Sequence, residues 1–284
     1  MRWRYFKQDL FFGLIRLSVL LVVLSLGGIL FYVFTNGIGA VNWTFLTKPP
    51  RDSMTAGGIM PAILGTLYLT LGAITIALPL GIASAVYLSE YAKQGPLVRL
   101  IRIGINCLAG IPSIVFGLFG LGLFVVYLRF GSCILSGALT LGFLILPTII
   151  GAAEEALKSV PQTFREASLA LGVSKWQTIR RVVLPGALPG ILTGSILGVG
   201  RAAGETAPIM FTAAAFFTAK LPQSIFDEVM ALPYHIYVLA TAGTNIDQTR
   251  PIQYGTVLVL LTLVLGIDLF AIVIRGYIRK KKRW

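Results

Sequence analysis

A chain of 284 residues that is 56% hydrophobic and only 12% charged falls well short of the roughly 25% charged share of soluble globular domains, so its apolar surplus needs lipid to cover it. The formal charge of +13 is spread over the ends of apolar runs. That argues against a nucleic-acid partner and for the sorting of Lys and Arg to the cytoplasmic side of a membrane.

In chain order, Arg2, Arg4 and Lys7 precede an uncharged run, Leu17–Phe34. The pattern resembles a signal peptide, but the run exceeds the roughly 7–15 apolar residues of one and lacks a small-residue cleavage site, so a retained helix is expected. Further uncharged runs follow at Ser53–Ser89, Ile103–Leu128, Phe130–Ala153, Val182–Gly200 and Pro251–Ile267. Each reaches or approaches the roughly 20 residues that cross a bilayer as helix. The expectation is an all-α polytopic membrane protein of about six transmembrane helices, with too little chain left for a soluble domain of ~100 residues. With the N-terminus inside, most of the 24 Lys and Arg fall in inner segments: 2–16, 93–102, 158–181 and the tail 275–283. Both termini are therefore expected in the cytoplasm, the tail touching lipid headgroups. Cys107 and Cys133 would lie about 39 Å apart on a straight third span, beyond disulfide reach.

Helix breakers occur in or beside spans at Pro79-Leu80-Gly81, Gly110-Ile111-Pro112 and Leu146-Pro147, where neighbouring helices or a cavity must satisfy the freed backbone. Gly194, Gly198 and Gly200 suit close helix packing. Two connections exceed simple turns. The outer one, Lys220–Arg250, reads as a loop with short helical pieces punctuated by Pro222, Pro233 and Gly243. The inner one, Glu154–Pro185, reads as two short helices. Ser159…Gln162 and Ser174…Gln177 both have capping-box spacing, and Gly172 suits a left-handed helix end. Val160, Phe164, Ala167 and Leu171 share one face by spacing, with Gln162, Arg165, Glu166 and Ser168 opposite. Such a helix pair either lies on lipid or docks a cytoplasmic partner.

The sequence Glu166-Ala167-Ser168, three residues, Gly172, nine residues, Val182-x-Leu184-Pro185 resembles the EAA loop of bacterial ABC-importer permeases, with Ser168 for the usual second Ala and Val182 for the usual Ile. The resemblance implies a type I ABC-importer permease bundle. The first helix of its loop would enter a cleft of a separate ATPase subunit, with Arg165, Glu166, Ala167, Ser168 and Gly172 as coupling residues. Three further stretches, Gly57–Thr66, Gly200–Pro208 and Ala231–Tyr237, resemble phosphate-specific permeases, and the subunit they resemble is of the PstA type. This implies import of inorganic phosphate across the inner membrane, with a homologous second permease, an ATPase dimer and a soluble phosphate-binding protein as partners. It also divides the chain into residues 1–56, holding the first span and an outer loop, and a permease core at 57–284 with its cytoplasmic loop at 154–185. Sulfate, molybdate or tungstate remain alternative cargoes, and an ion-coupled carrier a more distant alternative whose coupling sites would be Glu205 and Asp268.

No Gly-Lys-Ser or Gly-Lys-Thr is present, so there is no Walker A loop and ATP would be bound by the partner; no cofactor is expected. His235 has no neighbouring cysteine or carboxylate cluster and reads as loop surface. No nucleophile with a positioned base lies in the spans, which argues against an enzyme. Arg201, reckoned from a span starting near Pro189, would lie about 18 Å from the inner boundary of a roughly 30 Å core. A buried arginine costs upwards of about 2.5 kcal/mol to insert, so it needs a partner, and Glu205 at i+4 can supply one. The pair is expected either to handle the anion in the substrate pathway or to lock two helices together.

Overall fold

The computed structural model describes residues 2–242 and 246–281. Gly243 of the outer connection and Lys282 and Arg283 of the basic tail lie outside the described residues. The helices, in chain order, are α1 (Arg2–Gly37), α2 (Trp43–Thr47), α3 (Met60–Val86), α4 (Pro96–Ala109), α5 (Ser113–Gly120), α6 (Ile134–Lys158), α7 (Gln162–Ala170), α8 (Lys175–Thr178), α9 (Leu184–Gly204), α10 (Ala207–Thr212), α11 (Leu232–Thr241) and α12 (Ile246–Lys281). π-helical segments Tyr87–Tyr91, Leu121–Tyr127 and Ile179–Val183 extend α3, α5 and α8. A two-residue antiparallel ladder joins Pro50–Arg51 to Ala56–Gly57 before α3.

Among the described residues five helices are long and apolar enough to cross a membrane, or six if α4 and α5 together make one broken span. These two meet at 102°. The break falls at Gly110-Ile111-Pro112, where Pro112 brings no N–H and pushes Ile111 away from helical geometry. The expected straight span Ile103–Leu128 is thus corrected to an elbow, and the 39 Å reckoned between Cys107 and Cys133 does not apply. Cys107 is exposed near the end of α4, Cys133 is buried at the start of α6, and both are free thiols. By contrast, Pro79, Pro147, Pro189 and Pro251 lie inside continuous helices.

The long helix α6 is the axis of the bundle. Leu141, Leu144, Ile145 and Ile149 pack against Leu69, Ala73 and Ala77 of α3 and against Ala202 and Ile209. Toward the 154–185 connection, Ala153, Ala156 and Leu157 meet Ala85, Ile179, Val183, Ala187 and Ile191. The approach of α9 to α6 depends on the absence of a side chain at Gly194, because a Cβ there would overlap the Ala152 methyl. The α1 span stands outside this core with none of its apolar window buried. It reaches α12 through Tyr32 and Tyr254, whose rings meet edge-on at 5.6 Å.

Candidate substrate pathway and coupling segment

Helix α9 starts at Leu184, not at Pro189, so Arg201 sits in its last turn, about 26 Å along the axis. The helix stops at Gly204 and Glu205 follows in extended backbone (φ −74, ψ 132). Pro208 occupies the first turn of α10, where its missing N–H costs nothing. Although the helix ends between them, the expected pair forms: Arg201 Nε donates to Glu205 Oε1 at 3.3 Å, with side-chain exposures of 36% and 16%.

The three stretches with phosphate-permease character converge here. A space of ≈ 10 Å³ is lined by Thr66, Thr70, Ala202, Ala203, Glu205, Ala231 and Pro233, among others. Leu232 N donates to Thr66 Oγ1 at 2.8 Å. A Cβ at Gly65 would overlap the Met230 carbonyl, so the start of α3 and the segment before α11 are stitched together. That segment folds back rather than looping free. Ala215 N donates to Val229 O at 2.9 Å, Val229 N to Ala213 O at 3.1 Å, and Ile134 N to Asp227 O at 3.0 Å. A space this small holds about one water and no oxyanion. Glu205 lines this space, whereas Arg201 does not and keeps a side-chain exposure of 36%.

Two polar groups beside this site are placed by the tertiary structure alone. Asp268 of α12 packs on the backbone of Gly200, its Oδ2 only 3.2 Å from where a Cβ would sit. That puts a third ionisable side chain next to the Arg201 turn. His235, expected as loop surface, is corrected to a buried residue with 2% exposure. It lies in α11, which packs on α3 and α12. Burial lowers its pKa from 6.5 to about 4, so the ring is neutral near pH 7. The apolar neighbours of His235, Leu232 before it and Ile236, Val238 and Leu239 after it, are the sequence signal of burial, and the packing of α11 realises it.

In the segment 154–185 one of the expected caps forms. Ser174 and Gln177 make the reciprocal capping box at the start of α8. Ser159 does not cap α7. It ends α6, its hydroxyl donating to Ala156 O at 2.8 Å, and α7 begins after Pro161, which has no side-chain acceptor to offer. The two faces grouped by spacing do not separate cleanly into a buried and an exposed side. Val160 is buried, but Phe164, Ala167 and Leu171 face outward, Leu171 with 83% exposure. The inward side holds Arg165 and Ser168. Ser168 Oγ meets Thr178 Oγ1 at 2.9 Å, and Arg165 is ion-paired to Glu90. Gly172 takes φ +74 between α7 and α8, with nothing within 4 Å of where a Cβ would sit, as the left-handed turn requires. Glu166 and Ala167 are outward.

The sequence matches the family described as binding-protein-dependent transport system inner membrane components over residues 77–284. It is 35% identical over 270 residues to the "Probable ABC transporter permease protein YqgI" of Bacillus subtilis, covering 91% of this chain and 92% of the relative. It is 38% identical over 264 residues to the "Phosphate transport system permease protein PstA" of Mycobacterium leprae, covering 91% and 85%. The fold resembles a chain of the MetNI methionine ABC transporter in an inward-facing form, with TM-score 0.59 and 21% identity over 78% of this chain and 94% of that one. A bundle of five or six long apolar helices with an elbow and a family match over residues 77–284 agree: the chain belongs to the family of binding-protein-dependent transport system inner membrane components.

Proposed function

We propose that this chain is the permease subunit of an ATP-driven phosphate importer. The observation that carries this reading is the convergence on Glu205 of the three stretches that resemble phosphate permeases, in a chain 38% identical to a phosphate transport permease. Arg201 receives phosphate: its planar fork of donors matches two phosphate oxygens, which a Lys ammonium cannot do. Glu205 holds Arg201 between cycles and accepts a hydrogen bond from a protonated phosphate oxygen, a proton that fully ionised sulfate lacks.

The substrate is delivered from outside by a soluble phosphate-binding protein, and the pathway is completed by a second, homologous permease. ATP is hydrolysed by a separate ATPase dimer that docks on α7 through its outward face, with Glu166 and Ala167 in the contact, and Gly172 sets the angle of the helix. Arg165 and Ser168 hold that helix on the body of the permease. The chain lies in the inner membrane with both termini and 154–185 in the cytoplasm, and its basic residues contact lipid headgroups. Residues 1–56 form an added span beside the permease core at 57–284. Cysteine labelling of Ser174→Cys from inside only, and of Gln223→Cys from outside, tests the orientation.

The deciding experiment reconstitutes the four-component assembly in liposomes. Phosphate with its binding protein is expected to stimulate ATP hydrolysis and to be taken up. Stimulation by sulfate or molybdate with their own binding proteins, and none by phosphate, would overturn the cargo.

A further inference from the structure

Helix α7 packs its backbone mainly on α8 and on Ile179–Val183, the lead-in to α9. A cleft of ≈ 550 Å³ lined by Ser89, Lys158, Gln162 and Lys175 opens beside it, so α7 does not lie flush against α3 or α6. One side chain crosses to both. Arg165 Nη2 and Nε donate to Glu90 Oε1 at 2.8 and 3.3 Å, Nη1 donates to Val160 O at 2.6 Å, and Nη2 donates also to Leu157 O at 2.8 Å. The side chains are 12% and 9% exposed, so the pair is shielded from solvent, unlike the screened surface pairs that hold nothing firmly.

Glu90 belongs to the π-helical turn Tyr87–Tyr91 that ends α3, a geometry that is rare and frequent at functional sites. The turn is held from the other side too, because Arg102 Nη2 donates to Leu88 O at 3.2 Å and pairs with Glu154 of α6 at 2.7 Å.

We propose that the Glu90–Arg165 pair is the strut through which movement of α7 reaches α3 and α6, so that the coupling helix drives two sides of the bundle and not α9 alone. Both are positioning residues. Neither needs to touch ATP or substrate, and a guanidinium that engages a carboxylate and the carbonyls of Leu157 and Val160 together is suited to carrying displacement because its fork has little freedom.

The inference rests on the reading of α7 as the ATPase-docking helix, but its test does not depend on which anion is carried. Spin labels at the exposed positions Thr163 and Lys93 report the α7–α3 separation in the assembled transporter, with nucleotide absent and with ATP trapped. In the wild-type assembly the distance distribution is expected to stay the same in both states. In Glu90→Gln it is expected to broaden and shift on ATP binding, while the ATPase co-purifies at the wild-type amount, basal hydrolysis persists and uptake per ATP falls at least ten-fold. Arg165→Lys, which keeps the charge pair but not all the carbonyl bonds, should fall between. An unchanged distribution with wild-type uptake per ATP in Glu90→Gln overturns the strut, as does loss of ATPase co-purification, which would make the pair a prop of the fold alone. A failure of phosphate to stimulate the wild-type assembly would count against the cargo and leave the distance readout intact.

Discussion

Replacing Gly172 separates backbone strain from steric contact unusually cleanly. The residue has φ +74, and nothing lies within 4 Å of the position a Cβ would take, so any penalty comes from the left-handed backbone alone. For an ordinary L-residue that penalty is about 1–2 kcal/mol, least for Asn and greatest for β-branched side chains. Gly172→Asn should therefore be nearly silent, Gly172→Ala should cost about 1 kcal/mol, and Gly172→Val about 2 kcal/mol. If the turn must keep its shape for α7 to dock, about 2 kcal/mol weakens ATPase association about thirty-fold. The assay is titration of the purified ATPase onto the permease pair in nanodiscs, with uptake measured at equal expression. The expected order of affinity is Gly and Asn, then Ala, then Val. Equal binding by the Val and Asn variants would refute the argument, because it would mean that the turn geometry does not set the docking angle.

Arg201→Lys, which keeps the charge and loses the fork, should lose most phosphate uptake, and Glu205→Gln should be milder but admit sulfate; near-wild-type uptake by Arg201→Ala would leave the pair a structural one. Gly194→Ala should cost about 1–3 kcal/mol, since its methyl overlaps that of Ala152. Thermal unfolding in detergent should show Ala152→Gly in the same chain restoring the loss. His235, buried with its pKa lowered to about 4, stabilises the fold fully above its unfolded pKa of about 6.5, and this contribution is lost as pH falls from there through 4. At pH 5 about 2 kcal/mol should be gone relative to pH 7. A His235→Gln variant should lose that part of the pH dependence, and an unchanged difference between the two proteins from pH 7 to pH 5 would show that the ring is solvated.

Much of this protein was legible in one dimension because lipid imposes a simple code. A span needs a run of uncharged residues of fixed length, so the places of α1, α3, α6, α9 and α12 follow from composition and charge alone. The capping box at Ser174 and the positive φ at Gly172 are equally local, set by hydrogen bonds and sterics within a few residues. The i+4 relation of Arg201 and Glu205 survived the end of the helix because both side chains are long enough to meet across it.

What the chain order could not reveal depends on neighbours distant in sequence. The inward turn of Arg165 needs Glu90, which lies 75 residues away in sequence. Spacing placed Phe164 and Leu171 on an apolar face, but could not say which side chains of α7 and its flanks turn toward the rest of the chain. Here a buried ion pair and the Ser168–Thr178 contact hold Arg165 and Ser168 inward, while Gln162, Glu166, Phe164 and Leu171 are exposed. Periodicity reports which residues share a face; only the surrounding helices, through their charges and carbonyls, decide which face points in.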